Sequence, residues 1–456
     1  VIKGQAILLG IGCAFFASIT VSAQTSPVRI TPARLSSAPT DRTNVDRAQP
    51  LTLQQAIDLA LGQASDFTTA QVNERIVAED IRQAQAALLP KFDAKPNYIY
   101  TSPSLGDVRP RPPSFLGANA INEIQGLITA SGEIDTSGKL SATVKRNQAL
   151  LASAHAGTAV ARRNLIQAVT EAYFGFALAS AKRRSAQTNL SAAEEFENNT
   201  KLQLDAGEVA PVDYTRARLQ TASRRDELEQ ATTEESVNAD SLRVFIGVRF
   251  VEPVATEDLL ANMPVDNEIE RFSEAAIATR PEFAQFEADR RAAEEEIQIA
   301  KADRRPQFTY SVGGGFISDS FAPTHIRDSL GVDVNVGMTI PIFDWGAAKS
   351  RETQARLKVQ QAMNARALAE RQFAQAFFAA RTQAISARTR VRQIAAAITD
   401  AEANLSASIA RYRSGEATII EVTDAQNTLV TQRNELYQAI FDYQTARSRL
   451  MRAVGQ

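Results

Sequence analysis

The 456-residue chain is 44% hydrophobic and 22% charged, the composition of a folded protein rather than a disordered one. Its 50 basic and 52 acidic residues leave a formal net charge of -2, so no basic field is available to hold nucleic acid or anionic lipid headgroups. With two histidines, His155 and His325, and one cysteine, Cys13, metal sites and histidine-based catalysis have almost nothing to work with.

At the start of the chain Lys3 precedes an apolar run from Ala6 to Ile19 and a small-x-small site, Val21-Ser22-Ala23, ahead of Gln24. The pattern reads as a secretory signal peptide over 1–23, with Val1 as an alternative start codon, and predicts export. Cys13 lies within that leader, and the preceding Gly10-Ile11-Gly12 lacks the leucine of a lipidation site. Residues 24–50, rich in Pro, Ser and Thr, read as a flexible N-terminal segment. Past the leader no run approaches 18 consecutive apolar residues, so no helix is expected to span a bilayer. A membrane crossing would have to be a closed β-barrel, which points to the cell outer membrane of a Gram-negative type.

From residue 51 onward the chain repeats itself. Phe67 to Pro90 lies over Phe283 to Pro306 at an offset of 216, whereas Gly138, Gly207 and Gly247 lie over Gly346, Gly415 and Gly455 at an offset of 208. The first copy therefore holds eight extra residues between 92 and 138, placed in the proline-rich stretch Thr101 to Ala120, a polar surface loop. The first repeat spans 51–249: a helix, a β-hairpin at about 92–134 and a long helical hairpin over 139–246. A mixed connector occupies 250–281, and the second repeat, 282–456, has its β-hairpin at about 308–342 and its long helical hairpin over 347–453.

The hairpins show period-2 alternation. Phe308, Tyr310, Val312 and Phe316 alternate with Thr309, Ser311 and glycines, and Leu330 to Ile342 alternates oily with small or polar residues over about 13 positions, long enough to cross a bilayer at a tilt. Ile124, Ile128, Ala130 and Ile134 repeat the pattern more weakly. A soluble sandwich is the alternative source of such strands, but no further strands exist to build a second sheet. Four strands cannot close a barrel whose smallest usual form has eight, so the chain must oligomerise if it forms one.

After Gly138 and Gly346 the sequence is alanine-rich and free of proline for about 68 residues, predicting helices on the order of 100 Å long. Val391, Ile394, Ile398, Ala401, Leu405, Ile409 and Tyr412 recur at spacings of three and four, a coiled-coil seam. The return helices are half that length, so each long helix is expected to pack against two shorter ones placed end to end.

Several segments carry a family likeness: Leu51-Thr-Leu-Gln-Gln-Ala-Ile-Asp-Leu-Ala-Leu61, Ala86-Ala-Leu-Leu-Pro90, Thr339-Ile-Pro-Ile-Phe-Asp-Trp-Gly346, and Tyr412-Arg-Ser-Gly-Glu-Ala-Thr418 with Glu421 and Asp424. In order and duplicated, they make the chain resemble the TolC-type outer-membrane efflux proteins over nearly all its mature length. The resemblance implies an α+β membrane protein: a homotrimer whose 12-stranded barrel continues into a periplasmic tunnel of antiparallel coiled-coil helices. It implies a periplasmic adaptor (membrane fusion) protein and an inner-membrane pump of RND, ABC or MFS type as partners, with outer-membrane lipid around the barrel and no nucleic acid. The strand-to-helix junctions fall at Gly138, Pro341 and Gly346; the first, Gly132-Glu-Ile-Asp-Thr-Ser-Gly138, lacks the proline and Phe-Asp pair of the second.

By the same resemblance the hairpin tips at Gly207 and Gly415 would meet the adaptor, and Asp213, Tyr412, Glu421 and Asp424 would close the periplasmic mouth. Three copies of each carboxylate around a narrow axis would repel one another and select cations. Helix capping alone also accounts for Glu421, in the box Thr418-Ile-Ile-Glu421, and for Asp213, just after Pro211 in a first helical turn.

The expected function is a passive exit duct for small molecules in a tripartite efflux or secretion system. The alternatives are a type I polypeptide secretion duct and a non-pore periplasmic coiled-coil scaffold. An enzyme is not expected: acidic runs such as Glu294-Glu295-Glu296 lie on charged helical faces, and Gly313-Gly314-Gly315 sits in a strand rather than a phosphate loop. No catalytic residue, cofactor or metal ligand is assigned.

Overall fold

The computed structural model describes residues 50–103, 121–414 and 416–456. The leader, the segment up to residue 49, most of the Thr101 to Ala120 loop with its eight extra residues, and Gly415 lie outside the described residues.

Leu51 enters beside the connector, its N–H donating to the Ala255 carbonyl at 2.8 Å. Helix α1 (Leu53–Leu61) starts with a reciprocal cap in which Gln55 N–H donates to Thr52 Oγ1 and Thr52 N–H to Gln55 Oε1. Helix α2 (Asp66–Ala86) follows, capped by Ser65, and leads into strand β1 (Lys91–Tyr100). Strand β2 (Asn122–Ile134) returns to the first long helix, α3 (Lys139–Asp205), and its partner α4 (Pro211–Ile246). Three short 3-10 turns between Leu259 and Thr279 form the connector.

The second half carries the same order of elements: α5 (Pro281–Ala302), β3 (Gln307–Ser318), β4 (Leu330–Thr339), α7 (Ala347–Arg413) and α8 (Ile419–Ala453). A short helix, α6 (Pro323–Asp328), sits in the loop between β3 and β4 and was not legible in the sequence. Both long helices have 67 residues, about 100 Å at 1.5 Å per residue. No helix among the described residues is long and apolar enough to cross a membrane.

Each long helix does meet two shorter ones end to end. Asn147 and His155 on α3 reach Asp80 and Glu74 of α2, while Thr221 and Arg225 of α4 bond the far half of α3 at Ala193 and Glu194. On α7, Arg351 and Lys358 pair with Asp303 and Glu296 of or beside α5, and Glu402 pairs with Arg433 of α8. Alanines fill many of these seams, allowing close approach with little apolar area. The large side chains concentrate where the connector crosses the helices: Tyr173, Phe174, Leu242, Phe377, Ile440 and Tyr443 are fully or almost fully buried. Tyr173 donates to the Leu51 carbonyl at 2.8 Å, and burial pushes its hydroxyl up to about 12. Tyr443 donates to Glu268 of the connector at 2.8 Å.

The strands form one antiparallel sheet in the order β1-β2-β3-β4, and among the described residues the outer edges of β1 and β4 have no partner strand. Strand β4 ends at Thr339, short of the expected Ile342. Thr339 lies opposite Gln307, where β3 begins, so Ile340 to Ile342 have no strand partner among the described residues and Pro341 has no N–H to offer a ladder.

Candidate functional site

Constant register across the sheet sorts its side chains onto two faces. One carries Phe92, Tyr98, Ile128, Val312, Val332 and Val336, all exposed, with Val332 76% accessible. The other carries Asp93, Asn97, Gln125, Thr129, Ser311 and Asp333. An oily outer face backed by a polar inner one is the pattern of a strand with lipid on one side and water on the other.

Glycines set how closely β2 and β3 approach. Gly126 lies opposite Phe316 and Gly132 opposite Tyr310, and a Cβ at either would meet the facing aromatic side chain at 2.5 or 2.6 Å. Gly315 has φ +155°, and a Cβ there would sit 1.9 Å from the Gly126 carbonyl oxygen. Within the triplet Gly313-Gly314-Gly315, this position has the strictest need for glycine.

At the junctions the chain turns from strand to long helix through left-handed glycines, Gly138 at φ 80° and Gly346 at φ 83°. Asp344 accepts from Gly346 N–H at 3.1 Å and Ala348 N–H at 2.6 Å. The first junction lacks that Phe-Asp pair but has an equivalent: Asp135 accepts from Leu140 N–H at 3.0 Å and Ser141 N–H at 2.8 Å. The carboxylate is one position earlier relative to the glycine, which hid it in the aligned repeats. Pro341 precedes the second junction in an irregular stretch containing exposed Ile342, Phe343 and Trp345. Phe343 and Trp345 meet edge to face at 4.7 Å, and Trp345 has φ 55°.

The starts of α4 and α8, just past the two helical turns, lie side by side. Gly207 ends α3 with φ 78°, and Glu208 N–H closes the turn onto Gln203 O at 2.9 Å. Pro211 opens α4, with Asp213 in its first turn 3.8 Å from Arg216. Arg216 and Asp424 line a crevice of about 290 Å³ between α4 and α8, floored by Phe196 and flanked by Thr423 and Asn427. Glu421 accepts from Thr418 N–H at 3.3 Å, its expected cap role, and its other oxygen faces Arg411 at 3.3 Å. Tyr412 is half-buried in the last turn of α7. Arg224 bonds Asn427 across the two hairpins as well as Glu227 at 2.7 Å. Arg216 and Arg224 were missed in the sequence; Arg216 had a signal, three residues after Asp213 on the same helix.

Where the connector ends, Arg163 of α3 and Arg280 converge on Glu282 in the first turn of α5. Arg280 also donates to Ala453 O at 3.0 Å and stacks 3.8 Å above the Phe373 ring. Burial would raise the Glu282 carboxyl, but hydrogen bonds from Arg280 and Arg163 outweigh it and hold it at about 2. Among the described residues no cluster of His, Cys, Asp and Glu could hold a metal ion. His155 and His325 each pair singly, with Glu74 at 2.8 Å and Asp319 at 3.0 Å.

The sequence model described as "Outer membrane efflux protein" matches residues 56–248 and 272–456. Among curated relatives, protein CyaE of Bordetella pertussis is 25% identical over 69% of this chain and 65% of its own length, so this chain spans just under two thirds of that protein. The cobalt-zinc-cadmium resistance protein CzcC of Cupriavidus metallidurans is 24% identical over 85% of this chain and 86% of its own. The CmeC outer membrane channel of Campylobacter jejuni shares the fold with a TM-score of 0.77, at 17% identity over 88% of this chain and 85% of that one.

Proposed function

The chain belongs to the outer membrane efflux protein family, whose members are channels of the outer membrane and not enzymes, and from that premise we propose that it is the passive exit duct of a tripartite efflux system. The observation that carries the reading is the sheet: four strands, an exposed oily face, a polar opposite face and two unpaired edges. Such edges and such a face are stable in a membrane only when copies close them into a barrel. Three copies make the 12-stranded barrel that the family resemblance implies, with outer-membrane lipid against the oily face.

Below the barrel the paired long and short helices continue as the tunnel wall, in two repeats over 51–249 and 282–456 joined by the connector at 250–281. The tips at Gly207 and Gly415 are the surfaces offered to a periplasmic adaptor, itself joined to an inner-membrane pump. Asp213, Tyr412, Glu421 and Asp424 stand at the mouth as its gate, with Arg216 beside Asp213 and Arg411 facing Glu421. A pore-free periplasmic scaffold would have no use for the exposed face of Val332 and Val336. The cargo is a small solute; the name of the Cupriavidus relative makes divalent metal ions the first to try.

The test is extraction of outer membranes in detergent followed by electrophoresis with and without heating, and planar-bilayer recording of the purified protein. A heat-labile trimer with steady ion conductance is expected. A freely soluble monomer without conductance would reject the duct.

A further inference from the structure

The chain contains one copy of a contact that its own oligomer needs again. Within the chain, β2 and α3 of the first half meet β3 and α5 of the second, strand against strand and helix against helix. In the second half β4 and α7 hold the places of β2 and α3; in the first half β1 and α2 hold those of β3 and α5. The hairpins correspond residue for residue. Phe92 faces Ala130 and Phe308 faces Met338, the same pair displaced by 216 on the first strand and 208 on the second. The long helices, Lys139–Asp205 and Ala347–Arg413, are displaced by the same 208. Yet among the described residues β1 and β4 have free edges, and α7 packs on α5 and α8, the counterparts of α2 and α4, whereas α3 packs on α2, α4 and also on α5.

We infer that β4 and α7 dock on β1 and α2 of a second copy of this chain in the register transcribed from the β2–β3 contact, so that Val336 lies opposite Tyr98 and Val334 opposite Tyr100 of the next copy. Ile128 faces Gly314 within the chain, and shifting the first by 208 and the second back by 216 gives Val336 and Tyr98. The same operation carries Ile134 and Phe308 to Ile342 and Phe92. That supplies a partner for the three residues by which β4 falls short of its alternating pattern. The inference rests on the oligomeric-barrel reading and adds to it a register.

Three side-chain correspondences support the transcription. The buried pair of Arg163 and Glu282 maps onto Arg371 and Asp66, which keep opposite signs and form no ion pair among the described residues of one chain. Ala288 and Ala292, 5% and 6% exposed on α5, map onto Val72 and Ile76 of α2, which stand 53% and 56% exposed for want of a covering helix. Ser137, which accepts from Arg305 through its carbonyl at 2.8 Å, maps onto Trp345, and Arg305 maps onto Leu89. Both sides of that contact change from polar to apolar together, and both are exposed in the single chain. A lipid-facing surface gives no reason for a matched acid and base on α2 and α7.

Facing residues of antiparallel strands have Cα atoms about 4.5–5.5 Å apart, within reach of a disulfide, and diagonal ones about 7–8 Å apart. Cys13 is the only cysteine of the sequence, so introduced pairs can be read without background from the described residues. Val336→Cys with Tyr98→Cys, expressed in the full chain and oxidised in outer membranes, is expected to give covalent dimers and trimers on boiled, non-reducing gels. Val334→Cys or Met338→Cys with Tyr98→Cys keeps the face but moves the register by two, and is expected to give roughly tenfold less. Faster cross-linking by a shifted pair, or none by any pair in a protein that still migrates as a heat-labile trimer, overturns the register while the duct reading stands. A wild-type chain that is monomeric in membranes overturns both. Arg371→Asp and Asp66→Arg provide a check independent of the strands: each alone should lower the temperature at which the trimer dissociates, and the double exchange should restore it. Failure of the exchange to restore it overturns the helix half of the interface.

Discussion

Arg163 on α3 and Glu282 in the first turn of α5 form an ion pair closed to water, their side chains 5% and 14% exposed. It fastens the first half of the chain to the second at the level of the connector. A buried pair is costly to form but more costly to break, because removing one partner leaves the other charged and unsolvated. Here two guanidiniums, Arg163 and Arg280, depend on one carboxylate.

Glu282→Gln is therefore expected to destabilise the folded protein by about 3–5 kcal/mol. Thermal dissociation of the trimer and denaturant unfolding both measure it. The cost should exceed that of Glu402→Gln, whose pair with Arg433 is exposed. Equal effects would contradict the role of burial.

The same carboxylate makes a pH dependence. Glu282 sits at about 2 in the folded chain against 4.5 for an ordinary glutamate. A depressed folded value stabilises fully above the ordinary value, and the gain is lost as pH falls from about 4.5 toward 2, a span worth about 3 kcal/mol. Wild-type stability should fall across that window, and the Glu282→Gln variant should fall less.

The elements were legible because each left a period in the sequence: two in the strands around Leu330 to Thr339, three and four along Val391 to Tyr412, with glycines at Gly138 and Gly346 marking where one becomes the other. The Asp135 cap escaped notice because alignment on the glycines puts it one residue from Asp344, although hydrogen bonding tolerates that shift. The knot of Arg163, Arg280 and Glu282 left no pattern at all, since its members come from α3 and from either side of Pro281. Of the proposed gate residues, Glu421 was readable as a cap from Thr418, but the crevice lined by Arg216 and Asp424 depends on how α4 meets α8.

Gly315 supplies a prediction about the wall of the proposed barrel. With φ +155° and the Gly126 carbonyl 1.9 Å from any Cβ, Gly315→Ala should force β2 and β3 apart, costing at least about 1–3 kcal/mol. Gly331, which faces it on β4, has nothing within 4 Å of its Cβ position. Gly331→Ala should leave the yield of heat-labile trimer unchanged while Gly315→Ala reduces it.

In the proposed gate Asp213 lies 3.8 Å from Arg216 on α4, and Asp424 of α8 lines the same crevice as Arg216. In the proposed trimer, with three copies around one axis, their removal would take six carboxylates from the proposed constriction. Asp213→Ala with Asp424→Ala is expected to raise single-trimer conductance and weaken cation preference in planar bilayers. Unchanged conductance and selectivity would leave these residues with structural roles only.

Trp345 is the only tryptophan in the sequence, so its fluorescence reports one place. In a single chain it is exposed, set edge to face with Phe343 and held at a positive φ that disfavours a bulky side chain. Beyond its edge contact with Phe343 the ring is left open, and the transcribed interface covers it with Leu89 of the next copy. Trimers in lipid vesicles should show a blue-shifted emission that resists both aqueous iodide and lipid-attached bromine. Strong quenching by bromolipid would put Trp345 against the membrane, and strong quenching by iodide would leave it in water. Leu89→Asp should redden the emission without altering the strands, which separates the local contact from assembly as a whole.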